Sequence, residues 1–114
     1  MTKILFVCTA NMDRSPTAEL LYKDHSGLET KSAGIAFYAN APVSAELVEW
    51  ADVILCMEDR HQAYIERFYP DQIAHKKIDT LDIEDDYGFM HSQLKNIIKT
   101  RVDAWLRENG FGQK

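Results

Sequence analysis

Residues 3–16, KILFVCTANMDRSP, decide the fold. KILFVC, at 3–8, is short, apolar and partly β-branched. It reads as a strand buried on both faces, the kind found in a parallel sheet. Ser15 and Pro16 read as a helix start, with Ser15 as N-cap and Pro16 at the first helical position. Between them lies the tight loop TANMDR. An open α/β sheet binds ligands beyond the carboxyl ends of its strands, and this loop sits at such an end.

Working outward, Ala18, Leu21, Tyr22 and His25 continue at helical spacing, and Gly27 is expected to end that helix. LETKSAG (28–34) is a candidate second strand, FYANAP (37–42) a loop and VSAELVEWA (43–51) a short helix. DVILCM (52–57) repeats the character of the first strand. DRHQAYIERFY (59–69) is helical and stops before Pro70. KKIDTLDI (76–83) is a weaker fourth strand, and EDDYG (84–88) a loop. From His91 to Glu108, Leu94, Ile97, Ile98, Val102, Trp105 and Leu106 form a helical stripe that Gly110 terminates. The order βαβαβαβα predicts an α/β protein, a doubly wound four-stranded parallel sheet with helices on both faces. The length, 114 residues, predicts one domain over 1–114.

The apolar share is 46% and the charged share 27%, as in a soluble globular protein. A net charge of −5, from 18 acidic and 13 basic side chains, argues against a general nucleic-acid or membrane-surface binder. A local phosphate site needs only a few donors and stays compatible with it. Two cysteines do not make a secreted disulfide framework. The N-terminal apolar stretch is too short to span a bilayer and lacks a signal-peptide cleavage site. These features point to the cytoplasm.

The loop has its own chemistry. Its backbone N–H groups can converge on one concavity, and the helix N-terminus adds positive potential. A tetrahedral oxyanion fits such a site, and Arg14 can grip two of its oxygens. Cys8, at the floor, lies in a field that favours its nucleophilic thiolate form. Together these imply phosphoryl transfer through a phosphocysteine. Cys56, inside a strand, reads as a small buried hydrophobe. The five carboxylates of DTLDIEDD lack EF-hand spacing and read as a solvated acidic loop. His25, His61, His75 and His91 show no zinc spacing and read as surface or helix-face residues. No metal or cofactor is expected. Phe37, Tyr38, Trp50, Tyr64, Phe68 and Trp105 are expected to fill the core and rim.

At these residues the chain resembles the low molecular weight protein tyrosine phosphatases, most of all a short subgroup. That family carries a loop C-x-G-N-x-C-R-S-P between a strand and a helix; here it reads CTANMDRSP. SAG (32–34), ADVILCMEDRH (51–61) and IEDDYG (83–88) match in order. The resemblance implies a strand order of 2-1-3-4 and metal-independent hydrolysis of phosphotyrosine or aryl phosphates. The partners would then be a phosphorylated protein or small aryl phosphate, with inorganic phosphate as product; the oligomeric state stays open. Cys8 would be the nucleophile, and Arg14 would hold the transferring group. Asp85 would be the general acid, with Asp86 its competitor. Thr9, Ala10, Asn11, Met12 and Asp13 would form the phosphate loop, with Asn11 in its left-handed turn. Ser15 would bond the Cys8 sulfur, Ser32 would brace the loop, and Tyr87 would wall the substrate ring.

Departures are visible too. Ala10 stands where the family has glycine, which requires negative φ there. Asp13 replaces a second cysteine, and its charge is expected to restrain anion binding. The segment between SAG and ADVIL is short, so a helix and a loop-supporting histidine of the family are expected to have no counterparts here, and one cleft wall is expected to be missing. Two rivals remain: a non-catalytic phosphate-binding module, and an arsenate reductase, which would need more cysteines than Cys56.

Overall fold

The computed structural model describes residues 1–111. Its elements in chain order are β1 (Thr2–Cys8), α1 (Arg14–Tyr22), β2 (Leu28–Gly34) and α2 (Ala45–Trp50), then β3 (Val53–Cys56), α3 (Asp59–Phe68), β4 (Lys77–Thr80) and α4 (Ser92–Glu108). The four strands form one parallel sheet in the order β2-β1-β3-β4. β1 is central, so its side chains are covered above and below, which is why it is apolar at every position from Ile4 to Cys8.

Alternation along the strands divides the core into two layers. Ile4, Phe6 and Cys8 of β1, with Val53 and Leu55 of β3, meet Ala18 and Tyr22 of α1 and Leu94, Ile98 and Val102 of α4. Leu5 and Val7, with Ile54 and Cys56, meet Val48 of α2 and Ile65 of α3. Each fully buried side chain of this size contributes roughly 1.5–3 kcal/mol relative to exposure. β4 is an edge, and its outer positions Lys77 and Asp79 are exposed. Asp79 nonetheless accepts the indole N–H of Trp105 at 2.7 Å, which ties α4 to the edge.

Local differences from the sequence reading have physical causes. α1 begins at Arg14 with Asp13 as N-cap, so Ser15 is already helical and is no cap. Its hydroxyl lies 2.9 Å from Cys8 Sγ and 3.3 Å from Ala33 O instead. The same helix ends at Tyr22; Gly27 acts later, at φ 81 in the turn feeding β2. The fourth strand is shorter than expected because Asp82 turns left-handed, φ 61, and ends the extended run. α2 has only six residues, with Ser44 as N-cap. Its far end is secured by Lys76, whose ammonium donates to the carbonyls of Val48, Glu49 and Ala51 at 2.6–2.8 Å.

In this strand order the chain reverses direction between β1 and β3. The carboxyl ends of these two strands therefore border the switch-point crevice. The loop after β1 and the segment Met57–His61 after β3 face each other there.

Candidate active site

The loop 9–13 is held from outside by its carbonyls. Ile35 N–H donates to Cys8 O, Ala36 N–H to Thr9 O and Asn40 N–H to Ala10 O, all at 2.9–3.1 Å, and the Asn40 amide reaches Asn11 O at 3.0 Å. None of the backbone N–H groups of residues 9–13 donates to a backbone carbonyl among the described residues. An unpaired run of donors beside a helix N-terminus is an anion nest. The loop turns through Asn11, at φ 56, a left-handed conformation that Asn tolerates. Ala10 avoids that region.

Behind the loop runs a chain of hydrogen bonds. Asn11 Nδ2 donates to Ser15 Oγ at 2.9 Å and to Ser32 Oγ at 3.0 Å, and Ser32 Oγ donates to Glu19 Oε1 at 2.5 Å. Ser15 Oγ lies 2.9 Å from Cys8 Sγ. Gly34 is packed so closely under the loop that a Cβ there would lie 2.5 Å from Thr9 O and 2.9 Å from Asn11 N.

In front of the loop is a cavity of about 200 Å³ lined by Cys8, Thr9, Ala10, Met12, Asp13, Arg14, Tyr38, Arg60 and Asp85. Arg14 is buried, yet it enters the cavity because one face of its guanidinium is tied down. Nη1 donates to Glu58 and, at 2.7 Å, to Ile83 O. Asp85 stands at the mouth, 60% exposed, with Oδ1 3.9 Å from Arg14 Nε. Asp86 lines a different hollow, with Tyr87 and Arg101.

The wall supplied by β3 and α3 carries three groups that motif reading passed over. Glu58 bridges Arg14 and Arg60. Its burial raises the carboxyl pKa, but the hydrogen bonds and charges of the two arginines outweigh this and hold it below the ordinary value. Arg60 Nη2 donates to Thr9 Oγ1 at 2.7 Å. His61 is fully buried: Nδ1 accepts Glu58 N–H at 3.0 Å, and Nε2 meets Thr9 Oγ1 at 2.9 Å. Burial, then the charges of Arg14 and Arg60, push its pKa down to about 4.

A family model described as low molecular weight phosphotyrosine protein phosphatase matches residues 3–42, the segment holding β1, the loop, α1 and β2. Over that segment the chain is similar to the low molecular weight protein tyrosine phosphatases. A protein-arginine-phosphatase of Geobacillus stearothermophilus is 29% identical over 75% of this chain and 79% of its own. A protein-arginine-phosphatase of Bacillus subtilis is 33% identical over 54% of this chain and 59% of its own. The crystal structure of a low molecular weight protein tyrosine phosphatase from T. tengcongensis superposes with a TM-score of 0.75 at 24% identity, covering 95% of this chain and 99% of that one. The four-stranded α/β fold with strand order β2-β1-β3-β4 matches that structure.

Three expectations change in this structure. His61 is not a surface residue, and the loop does have a supporting histidine, supplied by α3. The signal was present in the sequence, because a histidine three residues after the Glu58 N-cap stands where a capping-box partner reaches back. Phe37 is 92% exposed and fills no core; Tyr38, beside it, borders the cavity. Tyr87 is apart from the cavity-lining residues and packs on the α4 layer, its ring 4.9 Å from that of His91. The aromatic at the cavity mouth is Tyr38. It comes from the short 35–50 segment that, from sequence, was expected to leave a wall missing.

Proposed function

We propose that this protein is a phosphatase that hydrolyses phosphomonoesters through a phosphocysteine on Cys8. The observation that carries the reading is the Cys8 sulfur, 2.9 Å from Ser15 Oγ, at the floor of a cavity also lined by Arg14 and Asp85. In the first step the Cys8 thiolate attacks phosphorus while the leaving oxygen takes a proton from Asp85. The N–H groups of 9–13 and Arg14 hold the three equatorial oxygens. Ser15 stabilises the sulfur as it departs in the second step, when water, deprotonated by Asp85, releases inorganic phosphate. Asn11 and Ser32 position the loop. The thiolate must stay reduced, which agrees with a cytoplasmic setting. No helix among the described residues is long and apolar enough to cross a membrane.

The favoured substrates are phosphotyrosine or aryl phosphates, whose ring would lie between Met12 and Tyr38. A second reading takes phosphoarginine as substrate. It is favoured by the activity named for the two relatives and by Asp13 and Asp85, two carboxylates that would face a guanidinium. The arsenate reductase reading is disfavoured by Cys56, which is buried in the layer opposite Cys8.

Assay of phenyl phosphate with wild type and Cys8→Ser tests the chemistry; turnover by wild type alone is expected, and comparable turnover by Cys8→Ser removes the covalent step. Peptides carrying phosphotyrosine or phosphoarginine test the substrate. Asp13→Asn should favour phosphotyrosine by removing repulsion of the dianion, and should weaken phosphoarginine if the second reading holds.

A further inference from the structure

We infer that the Thr9 hydroxyl is a hydrogen-bond donor to the oxyanion in the cavity, its proton aimed there by Arg60 and His61. This rests on the phosphate-site reading above and adds a side-chain donor to the backbone nest.

The inference follows from counting protons. His61 Nδ1 faces the backbone N–H of Glu58 at 3.0 Å, so that nitrogen must be the acceptor. A neutral imidazole has one N–H, so it resides on Nε2. Full burial and a pKa pushed down to about 4 keep the ring neutral at ordinary pH. Nε2–H then points at Thr9 Oγ1, 2.9 Å away, and Thr9 is the acceptor. The reverse tautomer would set N–H against N–H at Glu58. Arg60 Nη2, at 2.7 Å, has no lone pair and can only donate. Thr9 Oγ1 thus receives two hydrogen bonds, and both of its lone pairs are used.

Its own proton is left with no protein acceptor among the described residues. A hydroxyl with both lone pairs engaged has one tetrahedral direction remaining. Thr9 lines the cavity, with Cys8 and Arg14 beside it. The hydroxyl is also polarised, because one of its two donors is a guanidinium, and this strengthens the outgoing bond. An acceptor that carries negative charge suits such a donor, and the oxyanion of a phosphoryl group meets that description. A valine at this position would fit the same space and offer nothing.

The experiment compares wild type, Thr9→Val and Thr9→Ser. Inorganic phosphate is the probe, read as competitive inhibition of phenyl phosphate hydrolysis and as direct binding by calorimetry. Alkylation of Cys8 by neutral iodoacetamide reports whether the loop is intact. The expected result is about 10- to 100-fold weaker phosphate binding for Thr9→Val, a parallel fall in kcat/KM, unchanged alkylation, and Thr9→Ser close to wild type. Phosphate affinity within twofold of wild type in Thr9→Val would overturn the inference. So would loss of phosphate binding together with altered alkylation in both variants, because Thr9 would then only hold the loop. A wild type that neither binds nor hydrolyses would overturn the reading of the cavity, and this inference with it.

Discussion

Gly34 shows how one residue sets the loop after β1. β2 runs directly beneath residues 9–11, and hydrogen is the only substituent the space admits. A Cβ would lie 2.5 Å from a backbone oxygen, and backbone cannot swing aside as a side chain can. Gly34→Ala is therefore expected to displace the Thr9–Asn11 turn. We expect a loss of about 1–3 kcal/mol in stability by denaturant titration and a fall of at least about 100-fold in kcat for phenyl phosphate. Activity close to wild type would mean that the turn tolerates a shift. At the cavity mouth, geometry separates two adjacent carboxylates that sequence leaves in competition. Asp85 faces Arg14, whereas Asp86 faces away. Asp85→Asn should lower kcat by about 10²–10⁴, with the loss shrinking as the leaving phenol becomes more acidic. Asp86→Asn should do little. A leaving-group-dependent loss confined to Asp86→Asn reverses the assignment.

At the scale of elements, α3 does more than cover the sheet. Its N-cap and first turn carry Glu58, Arg60 and His61 to the loop after β1, and His61 also closes the helix start. This has a consequence for pH. In the unfolded chain His61 takes up a proton near pH 6.5, but in the fold not until about pH 4. Between these values the unfolded state binds more protons, so stability falls as pH drops through this window. The full effect is on the order of 3 kcal/mol. His61→Gln keeps an acceptor that can reach back to the Glu58 N–H but does not titrate. Urea midpoints measured from pH 7 to pH 4 should therefore decline less in His61→Gln than in wild type; identical slopes would place the titrating group elsewhere.

For the molecule as a whole, the site lies where the chain reverses between β1 and β3, and its parts come from four separate segments. Anion binding should therefore stabilise the entire fold. Inorganic phosphate at 100 times its Kd should add about 2.7 kcal/mol, seen as a rise in Tm. Arg14→Ala should abolish that rise, whereas a shift that persists would place the anion at another site.

The sequence by itself determined the layers and the loop. β1 is apolar at every position from Ile4 to Cys8, which only a strand covered on both faces requires, and alternation with amphipathic helices dictates a parallel sheet. Cys8, the loop and Arg14 lie within seven consecutive residues, so local geometry alone brings them together, and their chemistry is legible in one dimension. Asp85 was within reach only through its family pattern. Tertiary structure alone decided the rest. Glu58, Arg60 and His61 follow an unremarkable strand. They become part of the site because the order β2-β1-β3-β4 sets the end of β3 beside the end of β1. Tyr38 took the place at the mouth, and Tyr87 packed inward instead. The reason is physical. Periodicity reports which face of an element is buried, but not which loops meet across the crevice, and that depends on strand order and on how the proton donors and acceptors there are paired.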